Sequence, residues 1–166
     1  MRTLLIALCI HSSSITNAQP LERIEVVTFD SSRTATEIYR AAERWFIVAF
    51  PEPSMFSMRD STVKTIVARR TVTIPWAFRA MAPTDMPFTY SMEVQIRDGR
   101  YKVRVYDVWF NNALANDQPC CFPKCTGGGK AFEEANLATC KAMRETPDAL
   151  ITSLKTAIAN STAEDW

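Results

Sequence analysis

Hydrophobic and polar positions alternate most cleanly between Phe88 and Phe110, FTYSMEVQIRDGRYKVRVYDVWF. The pattern predicts two β-strands folded on Asp98-Gly99, a dipeptide suited to a type I′ turn because both of its central residues need φ > 0. Zipping the arms from that turn sets Ile96 against Tyr101, Val94 against Val103, Met92 against Val105 and Phe88 against Trp109. These residues share one face, the expected core face. The other face carries Arg97 with Arg100, Gln95 with Lys102, and Glu93 with Arg104 as a cross-strand ion pair. A sheet apolar on one side must be covered on that side by another part of the chain.

Upstream, Leu21 to Phe29 alternates as a first strand, with Ile24 and Val26 on one face and Thr28 in the same parity. Thr34-Ala-Thr-Glu37 is a capping box, in which hydroxyl and carboxylate satisfy each other's backbone amides. The helix that follows carries Ile38, Ala41, Ala42, Trp45, Val48 and Ala49 at helical spacing, and Pro51 and Pro53 stop it. Met55 to Arg59 and Thr62 to Pro75 read as a second hairpin turning at Asp60-Ser61. In its long arm Ile66, Ala68, Val72 and Ile74 share a parity that Arg70 interrupts, so either a bulge shifts the phase or both faces are partly covered. Trp76 to Pro87 reads as an apolar loop. Residues 111–130 form an insert of low periodicity holding Pro119, Pro123 and three consecutive glycines. Beyond it, Phe132, Ala135, Asn136, Cys140 and Met143 recur at helical spacing. Thr146-Pro147-Asp148 marks a second helix start, and Leu150, Ile151, Leu154, Ala157 and Ile158 form an amphipathic stripe. The element order is β-α-β-β-β-β-α, an α+β two-layer sandwich: an antiparallel sheet with helices on one face.

The first residues change the count of what matters. Leu4 to Ile10 is an apolar run of signal-peptide length, far too short to span a bilayer, and Thr16 and Ala18 are small residues at −3 and −1. The expected organisation is a signal peptide over 1–18, one domain over 19–160 with the insert at 111–130, and a frayed tail over 161–166. Cleavage after Ala18 removes Arg2 from the 19 basic side chains and leaves 18, equal to the 18 acidic ones. Such a balance sets up no field that attracts nucleic acid. Cleavage also removes His11, the one histidine.

Without an imidazole, Ser-His-Asp and Cys-His nucleophile pairs are excluded from the exported chain. The carboxylates of Asp60, Asp85, Glu93 and Asp107 are scattered over turns and strands. Asp107 falls on the core parity, opposite Tyr90, and reads either as a buried carboxylate or as a strand-end residue displaced by a bulge. Thr126-Gly-Gly-Gly-Lys130 lacks the spacing of a phosphate-binding loop and reads as a flexible connection. Cys120, Cys121, Cys125 and Cys140 are the compact constellation. They could hold zinc or stay free, but an even count in an exported chain favours two disulfides. The expected pairing joins one of Cys120 and Cys121 to Cys140 and the other to Cys125. No metal and no cofactor is expected.

The signal peptide, the capped helix ending in Glu43-Arg-Trp-Phe46, the arm running into Thr71-Val-Thr-Ile-Pro75, the Asp98-to-Phe110 hairpin and a C-terminal amphipathic helix occur in that order. Together they resemble an exported bacterial family called "domain of unknown function 4468", described as having a TBP-like fold. The resemblance covers residues 24–110 and, loosely, 150–158; DGRY at 98–101 is its most specific piece. It implies a fold and no catalytic residues, because the family has no established activity. The cysteine-bearing insert departs from the family's pattern.

The functional expectation is an exported, non-enzymatic binding or structural module of the periplasm or cell surface of a Gram-negative bacterium. Its partner would be an envelope protein or a small ligand, not nucleic acid. Trp76, Phe78, Met81 and Met86, in the apolar loop, are the candidate contact patch. The alternative is a small apolar-ligand carrier or hydrolase, with a pocket between sheet and helices near Asp107.

Overall fold

The computed structural model describes residues 21–29, 33–76, 84–110, 113–114 and 129–161. Strand β1 is Arg23–Thr28, helix α1 is Ala35–Ala49, and a 3-10 turn at Pro53–Met55 leads into β2, Phe56–Asp60. Then come β3 at Thr65–Trp76, β4 at Thr84–Arg97, β5 at Arg100–Phe110, β6 at Ala113–Leu114 and α2 at Gly129–Asn160. All strand pairs are antiparallel, in the order β1-β5-β4-β3-β2, with β6 also on β5. Both helices lie on one side of the sheet. Ile38 and Phe46 of α1 and Met143, Ile151, Leu154 and Ile158 of α2 share a single core with Ile66, Met92, Val94, Val103 and Val105.

The capping box forms as the residues demand. Thr34 Oγ1 accepts from the Glu37 amide at 3.3 Å, and the Thr34 amide donates to Glu37 Oε2 at 2.7 Å. The Thr34 amide first, and then the Thr34 hydroxyl, which donates to the same Oε2 at 2.9 Å, hold the Glu37 carboxyl below its usual range. The buried face of α1 is the expected one at Ile38, Ala41 and Ala42, with Trp45 and Ala49 half-buried against the core, but Val48 is 81% exposed while Tyr39, Phe46 and Phe50 are buried. The aromatic rings bring Phe46 into the core in place of Val48, since Phe46 stacks on Phe50 at 5.2 Å and meets Trp45 edge-on at 5.2 Å.

Arg70 does lie on the core parity, and no bulge shifts β3, whose pairing with β4 runs unbroken from Thr65 to Trp76. The charge is accommodated because Arg70 donates to the Ala49 carbonyl at the end of α1 and lies near the Tyr90 hydroxyl. A bulge occurs instead in β2, between Phe56 and Met58. The β3–β4 hairpin is longer than expected: pairing extends to Trp76 and Thr84, leaving only residues 77–83 as the connection where a loop over 76–87 was anticipated.

Nor does α2 restart at Thr146. It runs through Pro147, which has no amide for the Met143 carbonyl, while Thr146 Oγ1 donates to the Ala142 carbonyl at 2.8 Å. Met143, Pro147, Ile151, Leu154 and Ile158 form one buried stripe, and packing that stripe outweighs the lost bond. Arg23 and Glu25, on the inner face of edge strand β1, are met by Asp148 at 3.5 Å and Lys155 at 2.5 Å from α2.

The turn at Asp98-Gly99 is the joint of the molecule. Only Gly99 has a positive φ, +67°, so the turn is not type I′. Asp98 serves another purpose: its Oδ1 accepts from the Ala35 amide at 2.6 Å, at the start of α1. The Gly99 amide donates to the Arg33 carbonyl and the Gly99 carbonyl accepts from the Phe29 amide, both at 2.8 Å. The Arg33 guanidinium in turn caps the end of α2, donating to the carbonyls of Ile158 at 2.6 Å, Ala159 at 3.2 Å and Ser161 at 3.1 Å. Arg33→Ala is expected to cost about 2 kcal/mol, because carbonyl bonds to a charged donor are lost at a helix end. Urea denaturation checks this; an unchanged midpoint would show that water replaces the guanidinium at no cost.

Candidate functional surface

With the helices on one side, the other side of the sheet is the open face. Its composition follows from register. Row by row, the outward positions are Thr28, Arg100 and Arg97; Val26, Lys102, Gln95 and Thr65; Ile24, Arg104, Glu93 and Val67; and then Tyr106, Ser91 and Arg69. The expected Glu93–Arg104 register is present, but the ion pair is not. Arg104 Nε pairs with Glu22 Oε1 and stacks over Tyr106, and Glu93 Oε1 accepts from Gln95 Nε2 at 2.6 Å. Ile24 and Val26, 55% and 60% exposed, sit on this open face.

A bulge sets the far end of the face. Ser91 pairs with Tyr106 and Thr89 with Trp109, so β5 uses one residue more than β4. Asp107 absorbs the excess with φ 49°, a conformation that a short polar side chain tolerates. Val108 then turns into the core, fully buried, and Trp109 turns outward, 37% exposed. In backbone register Phe88 pairs with Phe110, not with the expected Trp109. Asp107 is exposed, so the buried-carboxylate reading is overturned and the bulge reading holds. The signal was legible: the apolar parity Tyr101, Val103, Val105 shifts to Val108.

Two shallow recesses lie on the open face. One, of about 190 Å³, is lined by Val26, Gln95, Arg97, Arg100, Tyr101 and Lys102. The other, of about 240 Å³, is lined by Arg69, Pro87, Thr89 and Trp109. A third, of about 350 Å³, lies between the end of α1 and β2, where Ile47, Phe50 and Phe56 line it. Among the described residues, the layer between sheet and helices, where an apolar ligand would sit, holds the rings and aliphatic side chains of the core.

Of the residues singled out from sequence, Trp76 ends β3 opposite Thr84, and Met86 stands opposite Ile74 in β4, so both belong to the distal end of that hairpin. Their side chains, and all of Phe78 and Met81, lie outside the described residues, as do Cys120, Cys121 and Cys125. Cys140 belongs to α2 by its backbone alone. Sequence reasoning missed Trp109, Tyr106 and Arg69 as members of one exposed surface. Among the described residues no three His, Cys, Asp or Glu side chains are grouped to hold a metal ion. No helix among them is long and apolar enough to cross a membrane.

An antiparallel sheet with two helices on one side and an exposed opposite face defines a TBP-like α+β domain. The chain belongs to the family described as "Domain of unknown function (DUF4468) with TBP-like fold", whose model matches residues 25–111. It is similar to the crystal structure of a TBP-like protein from Parabacteroides distasonis ATCC 8503, with TM-score 0.60 and 14% identity over 86% of this chain and 95% of that one. It is likewise similar to a DUF4468 family protein from Bacteroides ovatus ATCC 8483, with TM-score 0.61 and 12% identity over 87% and 89%. At these identities the likeness is one of fold. An aromatase/cyclase from Streptomyces sp. R1128 aligns over 88% of this chain and 98% of its own at 13% identity, but a TM-score of 0.35 carries no argument. No curated protein matches this sequence.

Proposed function

We propose that this chain is an exported, non-enzymatic binding module that meets its partner through the open sheet face. Export rests on the Leu4–Ile10 apolar run and the small residues at Thr16 and Ala18. The observation that carries the surface assignment is the asymmetry of the sheet. One side is packed to near-zero exposure, while the other presents Trp109, Ile24 and Val26 beside a group of cations. Large apolar side chains in that setting are what an interaction surface uses. Site-specific photo-crosslinking tests it. Probes at Thr89 and Gln95 are expected to give envelope adducts on a protein beginning at Gln19, and probes at Thr36 and Thr152 on the helical side are not. Adducts confined to the helical probes would overturn the assignment.

A further inference from the structure

The open face is strongly cationic in a chain that is close to neutral as a whole. Between Arg69 and Arg97, the outward positions of β3, β4 and β5 carry Arg69, Arg97, Arg100, Lys102 and Arg104 against one carboxylate, Glu93. Arg104 is neutralised by Glu22. Arg97 stands directly opposite Arg100, and Lys102 is the next outward residue along β5. Among the described residues none of these three has an ion-pair partner, and Asp98, the carboxylate beside them, is turned to the start of α1. Like charges directly opposite on a sheet are destabilising. A chain that keeps them on an exposed surface has arranged a place where an anion gains what the fold gives up.

The shape of the surface selects among anions. The two recesses are smaller than the ~300–1,000 Å³ that encloses a small ligand. From Arg100 to Trp109 the face runs roughly 30 Å, at about 3.3 Å per residue. Arg100, Lys102 and Arg104 repeat along β5 at about 7 Å, far more sparsely than the one charge per ~1.7 Å of duplex DNA. At the other end Trp109, beside Arg69, Thr89 and Pro87, offers a flat apolar ring with hydrogen-bonding neighbours. A long partner with one negative charge per unit and an apolar ring face in each unit fits both ends at once.

We infer that the open face binds an extended acidic polysaccharide, its carboxylates on Arg97, Arg100 and Lys102 and a sugar ring on Trp109. This rests on the face being the binding surface and adds the class of its partner. The test is titration of the purified protein with oligogalacturonate, phosphatidylglycerol vesicles and single-stranded DNA. Oligogalacturonate is expected to bind, and to weaken steeply between about 50 and about 200 mM salt. The triple substitution Arg97→Gln, Arg100→Gln, Lys102→Gln should lower affinity about tenfold or more, and Trp109→Ala should lower it at unchanged salt slope. Lys141→Gln, on the exposed surface of α2, should change nothing, and thermal melts of the triple variant should match or exceed the parent's. No binding to oligogalacturonate, equal binding by the triple variant, or a preference for vesicles or DNA would overturn the polysaccharide assignment. If crosslinks nonetheless map to Thr89 and Gln95, the face remains the binding surface and only the partner class fails; without them both fall.

Discussion

Phe46→Ala is expected to destabilise the fold by about 3–5 kcal/mol, the range for deleting a buried ring whose surroundings relax only in part. Phe46 is fully buried, and its ring stacks within 18° of parallel on Phe50 while Trp45 and Phe56 pack around it. The cluster fastens the end of α1 to the entrance of β2, so its loss loosens two elements together. Val48→Ala, two residues on, should change stability by less than about 0.5 kcal/mol, because Val48 is 81% exposed. Chemical denaturation of the two variants reads out the contrast. Equal losses would mean that Val48 is packed in the core, as helical spacing alone suggests.

Val94→Ala should cost about 2 to 4 kcal/mol through lost transfer energy and the cavity left behind. Val94 lies opposite Val103 and Ile66 at the centre of the sheet, and all three are fully buried. Glu93→Ala, one residue away on the open face, should cost less than about 1 kcal/mol, since its contact is a surface hydrogen bond to Gln95. Similar denaturation midpoints for the two would mean that the faces of β4 are reversed.

Period-two alternation was enough to define the central hairpin, its core parity from Tyr90 to Val105 and the order of the elements, because each one-residue slip moves every side chain to the other face. The capping box at Thr34 was equally legible, since its bonds join residues three apart. DGRY is the most specific motif in the sequence, but the contacts that explain it are not local. Asp98 and Gly99 bond to Ala35 and Arg33, more than sixty positions away in the chain.

What the tertiary structure decided are the choices that local patterns leave degenerate. Helix α1 has apolar residues around most of its last two turns, and only the position of Phe50 and Phe56 selects Phe46 over Val48 as the buried side chain. Arg70 could occupy a core parity because the end of α1 brings the Ala49 carbonyl within reach. Pro147 could stand inside α2 because the stripe from Met143 to Ile158 is buried as one unit. The candidate surface was the least legible part, for the same reason. Trp109 faces outward through a one-residue bulge at Asp107, and Arg69, Arg97 and Lys102 come together only when three strands are laid side by side. Sequence determined which residues alternate; pairing across strands determined which of them meet, and so which face of the sheet was left for a partner.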